Sequence, residues 1–147
     1  MLYMLDLQRA ARILRMSLPG HALKRVVQSG AASLVCTFID SHKNKTRILL
    51  SCDPDFARIC TVEESDYGNI PAGSFHEFIR AHIEGAVVAG IGMSDRNRQV
   101  GLELESRTES WTLCLSILGA RSNIYLIDAN GRPYQKSPGT LPHVASV

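Results

Sequence analysis

The chain has 147 residues, 45% hydrophobic and 20% charged, with a net charge of +2. That length and balance suit one domain with a single core, and they exclude a wholly disordered chain. No run approaches the roughly 20 apolar residues that a membrane helix needs, and the opening "MLYML" is broken at Asp6 before it can form the apolar stretch of a signal peptide; the expected compartment is the cytoplasm.

Charge is distributed unevenly. Between Met1 and Arg47 eight Lys or Arg stand against two Asp, giving +6 and leaving −4 for the remainder. A basic amino-terminal third can face phosphate, or it can be a solvated helix face followed by a Lys-rich turn.

In chain order, Asp6 reads as the cap of a first helix. Leu7, Ala10, Ala11 and Leu14 recur at helical spacing, Arg9, Arg12 and Arg15 fall largely outside that stripe, and Pro19-Gly20 marks the stop. Strand patterns follow at His21 to Gln28, Ser33 to Asp40 and Arg47 to Cys52, separated by "SGAA" and "SHKNK", and they predict an antiparallel meander. A loop-rich stretch then leaves room for a short strand between Ala57 and Val62.

The second helix is marked more sharply. Ser74 and Glu77 form an S-x-x-E capping box, Phe75, Phe78, Ile79, His82 and Ile83 make the apolar stripe, and Gly85 sits where a helix-ending residue belongs. Four strand patterns complete the chain: Ala86 to Met93, Gln99 to Glu105, Trp111 to Leu118 and Asn123 to Asp128. "DANG" at Asp128 to Gly131 signals a turn. After Tyr134 periodicity gives way to Pro, Gly and Ser, so residues 1–134 are expected as the domain and 135–147 as a flexible tail. The resulting class is α+β, an antiparallel β-sandwich flanked by helices.

Signatures of enzymes are missing. There is no nucleophile elbow and no phosphate loop, and "GIGMSD" does not open a helix as a dinucleotide fingerprint must. Cys36, Cys52, Cys60 and Cys114 are dispersed without the paired spacing of zinc ligands and read as reduced, buried thiols. His76 and His82 lie six apart on the second helix, on different faces, with His82 on the apolar stripe. No cofactor is implied. Asp95-Arg96, at the tip between two strand patterns, is either a polar turn or a contact point. There an arginine can fork onto phosphate or stack on a base, while the carboxylate accepts from a ribose hydroxyl or an exocyclic amine.

Four blocks in register, "LDLQRAARIL" (Leu5 to Leu14), "LSCDPDFARI" (Leu50 to Ile59), "FHEFIRAHIEGAVVAGIGMSDR" (Phe75 to Arg96) and "LGARSNIYLID" (Leu118 to Asp128), resemble the NFACT-N domain. This is the amino-terminal module of ribosome quality control factors, historically called fibronectin-binding protein A-like. The resemblance spans Leu5 to Tyr134. It implies a fold similar to the amino-terminal domain of formamidopyrimidine-DNA glycosylases, and a non-catalytic, RNA-binding role in rescue of stalled translation, with transfer RNA and the large ribosomal subunit as partners. In the family an Asp-Arg pair and an Asp on the first helix are associated with transfer RNA, and these map onto Asp95, Arg96 and Asp6. Arg9, Arg12, Arg15 and Arg98 would be phosphate neighbours, and Arg121, Asn123, Arg58 and Arg80 sit in other family blocks. Two other classes stand beside this one: a protein-interaction or dimerisation module, and a glycosylase-like enzyme, whose amino-terminal proline nucleophile has no counterpart in Met1-Leu2-Tyr3.

Overall fold

The computed structural model describes residues 4–30, 33–53, 58–63, 74–94, 98–117 and 122–135. Two helices, α1 (Met4–Ser17) and α2 (Ser74–Ile83), accompany nine strands: β1 (Ala22–Gly30), β2 (Ser33–Ile39), β3 (Lys45–Ser51), β4 (Arg58–Thr61), β5 (Val87–Ser94), β6 (Gln99–Glu105), β7 (Ser110–Ser116), β8 (Asn123–Asp128) and β9 (Pro133–Gln135). The strands form one antiparallel sheet in the order β4-β3-β2-β1-β5-β6-β7-β8-β9. The fold is α+β, mostly antiparallel sheet with two helices, as the patterns imply.

The expected sandwich takes the form of one continuous sheet in two halves. β1 and β5 share only the pair Ala22↔Val87, with flanking bonds such as Gly20 N to the Val88 carbonyl at 2.8 Å and Leu23 N to the Ala86 carbonyl at 2.7 Å. Beyond this seam the halves deliver residues to the same core. Leu34, Cys36, Phe38, Ile48 and Leu50 come from one half and Val100, Leu102, Leu104, Leu113 and Leu126 from the other. α1 touches β5 and also β4, at the edge of the sheet. With strands spaced about 4.8 Å apart, a flat sheet would hold those two strands roughly 19 Å apart, wider than one helix. The sheet therefore curls around α1.

Two bulges explain where simple alternation breaks. In β1 the register shifts between Leu23 and Arg25, and in β5 between Val88 and Gly90. An extra residue reverses the in-out phase. Leu23 and Val26 can thus both point inward, three apart, with Lys24 and Arg25 both exposed between them, and Val88 and Ile91 repeat the pattern in β5. After the β5 bulge, Gly90, Gly92 and Ser94 occupy the outer face.

α1 buries the expected stripe of Leu7, Ala11 and Leu14. Its start differs from the sequence reading: the helix begins at Met4, so Asp6 lies within the first turn and is not its cap. α2 ends as expected, with Gly85 at φ 96°, the left-handed geometry that glycine adopts without a side-chain penalty. The Ser74 side chain of the capping box lies outside the described set.

α2 fills the gap where β1 and β5 diverge. Val26 on β1 donates its N–H to Glu84 Oε2 at 2.9 Å and accepts from His76 Nε2 at 2.8 Å. One side chain of α2 and one from the turn that follows it thereby replace the ladder bonds that a neighbouring strand would supply. His76, expected on a different face from His82, is buried for this reason; His82 is half-buried, its ring tilted against those of Phe78 at 4.4 Å and Trp111 at 5.0 Å.

β9 has no counterpart in the sequence reading. Three residues are too few for periodicity, and Pro133 is tolerated because an edge strand does not need every N–H. The "DANG" turn behaves as expected, with Asp128 Oδ1 accepting from Asn130 N and Arg132 N, each at 2.9 Å. Residues 136–147 lie outside the described set. Cys36 and Cys114 are buried, and burial pushes each thiol up to about 12, so neither is a thiolate at neutral pH.

Packing across the outer face of β6 and β7 is tight at one glycine. A Cβ at Gly101 would stand 2.8 Å from Thr112 Cγ2. Thr112 is β-branched on a strand and cannot swing clear, so Gly101→Ala is expected to cost about 1–3 kcal/mol. Thermal unfolding of the double variant with Thr112→Ser, which removes that methyl, should recover most of the loss. No recovery would mean that Gly101 is required for another reason.

Candidate nucleic-acid interface

The arginines of α1 occupy its wet side. Arg9, Arg12 and Arg15 are all exposed, while the opposite stripe is buried. Arg15 also ties the helix down, its Nε donating to the Ile91 carbonyl of β5 at 3.2 Å. The chain leaving α1 meets β5 further back, where Val88 N donates to the His21 carbonyl at 2.8 Å. The amino-terminal half of α1 therefore lies toward the Ser94 end of β5. Arg15 back to Arg9 is about 9 Å of helix rise, and Ile91 on to Ser94 is about 10 Å of strand rise. Axially Arg9 is thus displaced toward the end of β5, and it lines a groove with Ile59, Cys60 and Thr61 of β4.

That end opens the β5–β6 hairpin. Ser94 pairs with Gln99. Arg98 closes the tip; it is exposed, its φ is 50°, and its carbonyl accepts from Ile117 N at 2.9 Å. A non-glycine residue in this left-handed region carries a strain of about 1–2 kcal/mol, held here by the bond to β7. Asp95 and Arg96, the central pair of the sequence reading, lie outside the described residues, as do Arg121 and the side chain of Asp6.

Other candidates separate. Asn123 is fully buried, and its Oδ1 accepts from Ile124 N at 2.8 Å. It is a structural residue and presents nothing to a ligand, a correction to its place among the RNA contacts. The sequence could not reveal this, because an Asn at the start of a strand looks the same buried or wet. Arg58 and Arg80 are exposed, the latter 3.6 Å from Glu84 in the turn that follows α2.

The basic third does not form one patch. Lys24, Lys43 and Lys45 gather around a separate cleft of 390 Å³. It lies beside Ala22, which pairs with Val87, and Val87 pairs with Glu105 at the far end of β6. The lysines and the α1 arginines therefore belong to opposite ends of the sheet. The lysine turn is built by Asp40, whose Oδ1 accepts from His42 N at 2.8 Å and Asn44 N at 2.9 Å. The Asn44 N–H foremost, then the Asn44 amide and the His42 N–H, hold the Asp40 carboxyl below its ordinary value.

Residues 4–132 match the profile of the family described as NFACT N-terminal and middle domains. The chain belongs to this NFACT N-terminal family. It is 28% identical over 120 residues to the Rqc2 homolog RqcH of Streptococcus pneumoniae serotype 2, covering 78% of this chain and 22% of that protein. With the Rqc2 homolog RqcH of Streptococcus suis the identity is 28% over 138 residues, covering 89% of this chain and 24% of the relative. The chain thus spans under a quarter of the length of these relatives. Among solved structures it superposes on the N-terminal domain of the fibronectin-binding protein PavA from Streptococcus pneumoniae with a TM-score of 0.84 at 22% identity, covering 91% of this chain and 53% of that one. It also superposes on the N-terminal part of the fibronectin/fibrinogen-binding protein of Streptococcus suis, with a TM-score of 0.81 at 22% identity over 89% of this chain and 51% of that one. The NFACT N-terminal fold is thereby shared, and among the described residues no helix is long and apolar enough to cross a membrane.

Proposed function

We propose that this NFACT N-terminal chain is a non-catalytic, cytoplasmic RNA-binding module that engages transfer RNA on the large ribosomal subunit during rescue of stalled translation. Its family membership and the RqcH names of its relatives support a place in ribosome quality control. The observation that carries the reading is the Arg15 bond to the Ile91 carbonyl, because it lays α1 along β5. Arg9 and Arg12, exposed on that helix, and Arg98, exposed on the β5–β6 hairpin, are the cations of the proposed contact, with Asp95 and Arg96 as its selective pair. Cations on a helix beside a hairpin tip suit a phosphate track leading to a base or ribose, with arginines supplying attraction and Asp95 selectivity. Asp6, on the first turn of the same helix, belongs to this end.

Three or so phosphate contacts imply that log affinity falls with log salt at a slope of roughly −2 to −3. Anisotropy with a labelled transfer RNA between low and physiological salt should show that slope, and Arg9→Ala with Arg12→Ala should flatten it by between 1 and 2 as an order-of-magnitude figure. An unchanged slope in the double variant would remove α1 from the interface.

A second reading, a protein-interaction module, is favoured by one feature of the same helix. Ile13 and Met16 are 55% and 81% exposed, and a groove of 280 Å³ runs between α1 and the edge strand β4. RNA-independent self-association of the purified chain, lost in Met16→Ser, would support it.

A further inference from the structure

The outer face of β5 to β8 carries a groove of 390 Å³ that neither the α1 arginines nor the lysine cleft includes. Its base is unusually bare. Gly92 and Gly101 are paired neighbours across β5 and β6, and Cys114 follows Gly101 across β7. Cys114 and Ile127 add apolar surface, and among the described residues no Lys, Arg or His lines it.

Two acceptor-bearing side chains line this groove. Gln99 is 5% exposed, and its Oε1 has no hydrogen-bond partner. An orphaned buried amide oxygen is costly, so a groove-lining one marks a place where a donor is wanted. Glu103 is the second. A Cβ built on Gly90 would stand 2.7 Å from Glu103 Oε1, and one on Gly92 would stand 3.6 Å from Oε2. The carboxylate therefore lies back over β5, in space that exists because positions 90 and 92 lack side chains. A free surface glutamate would extend into water; this one is laid along the groove. Asp128 also lines it, with Oδ1 already committed to its own turn.

From this arrangement we infer that the groove is a nucleobase site selective for guanine. A flat, partly apolar floor accepts a planar ring. A carboxylate repels phosphate and selects adjacent N–H donors. Guanine offers two, N1–H and N2–H, in the spacing that a carboxylate accepts as a pair, and the Gln99 Oε1 is a further acceptor nearby. Uracil presents one N–H between two carbonyls, which would face the carboxylate unfavourably. Adenine and cytosine each offer one amine beside an acceptor. The groove reaches Ser94 and Gln99, the first residues flanking the hairpin tip, so a base lifted from an RNA held at that tip has a place to go. The biological ligand rests on the RNA-binding reading, but the chemistry is testable without RNA.

The probe is guanosine itself, compared with uridine, titrated at millimolar concentration into the 147-residue chain and followed by amide chemical shifts. Guanosine should move the Gly92, Gln99 and Gly101 signals, with uridine at least fivefold weaker. Glu103→Gln should weaken guanosine at least fivefold. So should Gly90→Ala, which displaces only the flexible end of Glu103 and keeps the thermal midpoint. Equal responses to the two nucleosides, no response to guanosine, or undiminished binding in both variants would overturn the assignment. Guanosine selectivity in a chain indifferent to transfer RNA would sustain this site while sinking the proposed role. Transfer RNA binding without any guanosine preference would do the reverse.

Discussion

Replacing Asp95 and Arg96 together by alanine is expected to lower transfer RNA affinity by ten- to a hundredfold, while the thermal midpoint stays within about 2 °C of the parent. The affinity loss follows from removing one donor and one acceptor, each worth about 0.7–1.4 kcal/mol in water. The unchanged midpoint follows from position. The tip lies between Ser94 and Arg98, beyond the last paired residues of the ladder, and substitutions at such places shift stability by about 0.5 kcal/mol or less. Single variants separate the roles. Arg96→Ala should weaken all RNAs and lower the salt slope by nearly 1, whereas Asp95→Ala should narrow the difference between transfer RNA and an unrelated RNA of equal length. An affinity equal to the parent in the double variant removes the hairpin from the interface, whatever α1 contributes.

The largest loss of stability outside the apolar core is expected at His76. His76→Ala removes the donor to the Val26 carbonyl, which lies where β1 has parted from β5 and has no strand to replace it. A buried carbonyl left unpaired costs about 1–3 kcal/mol, and loss of the buried ring adds to it, giving about 2–4 kcal/mol in total. For a chain of this size that is a fall of about 6–12 °C in the midpoint. His82→Ala is the control: half-buried, 3.7 Å from Glu109 Oε2 and with its ring tilted against Phe78, it should cost under about 1.5 kcal/mol. Urea unfolding of the two proteins decides the matter, and equal losses would mean that α2 is held to β1 by packing alone. Glu84→Gln keeps an acceptor for the Val26 N–H and should be milder than either.

These two sites differ in how far they could be read in advance. The antiparallel pair β5–β6 that brackets Asp95-Arg96 is legible because it is a local feature, two strand patterns with a polar stretch between them. His76 is not. On a helical wheel it falls beside the stripe, and what buries it is a carbonyl 50 residues earlier in the chain. Glu103 and Gln99 were likewise ordinary outward residues of an alternating strand. Gly90 and Gly92, two glycines at alternate positions, were the one local hint that a strand face had been left flat.

The same division holds for the whole chain. Stripe and turn residues are sufficient to define the α1 face, β6 from Gln99 to Glu105, β8 from Asn123 to Asp128 and the Asp128 turn, because each depends on side chains within a few positions of one another. The bulges in β1 and β5, the seam at Ala22 and Val87, the burial of Asn123 and the parting of the lysines from the α1 arginines depend on which strand lies beside which. Pairing between distant segments follows from closure of a shared core, and no single stretch of sequence contains that information.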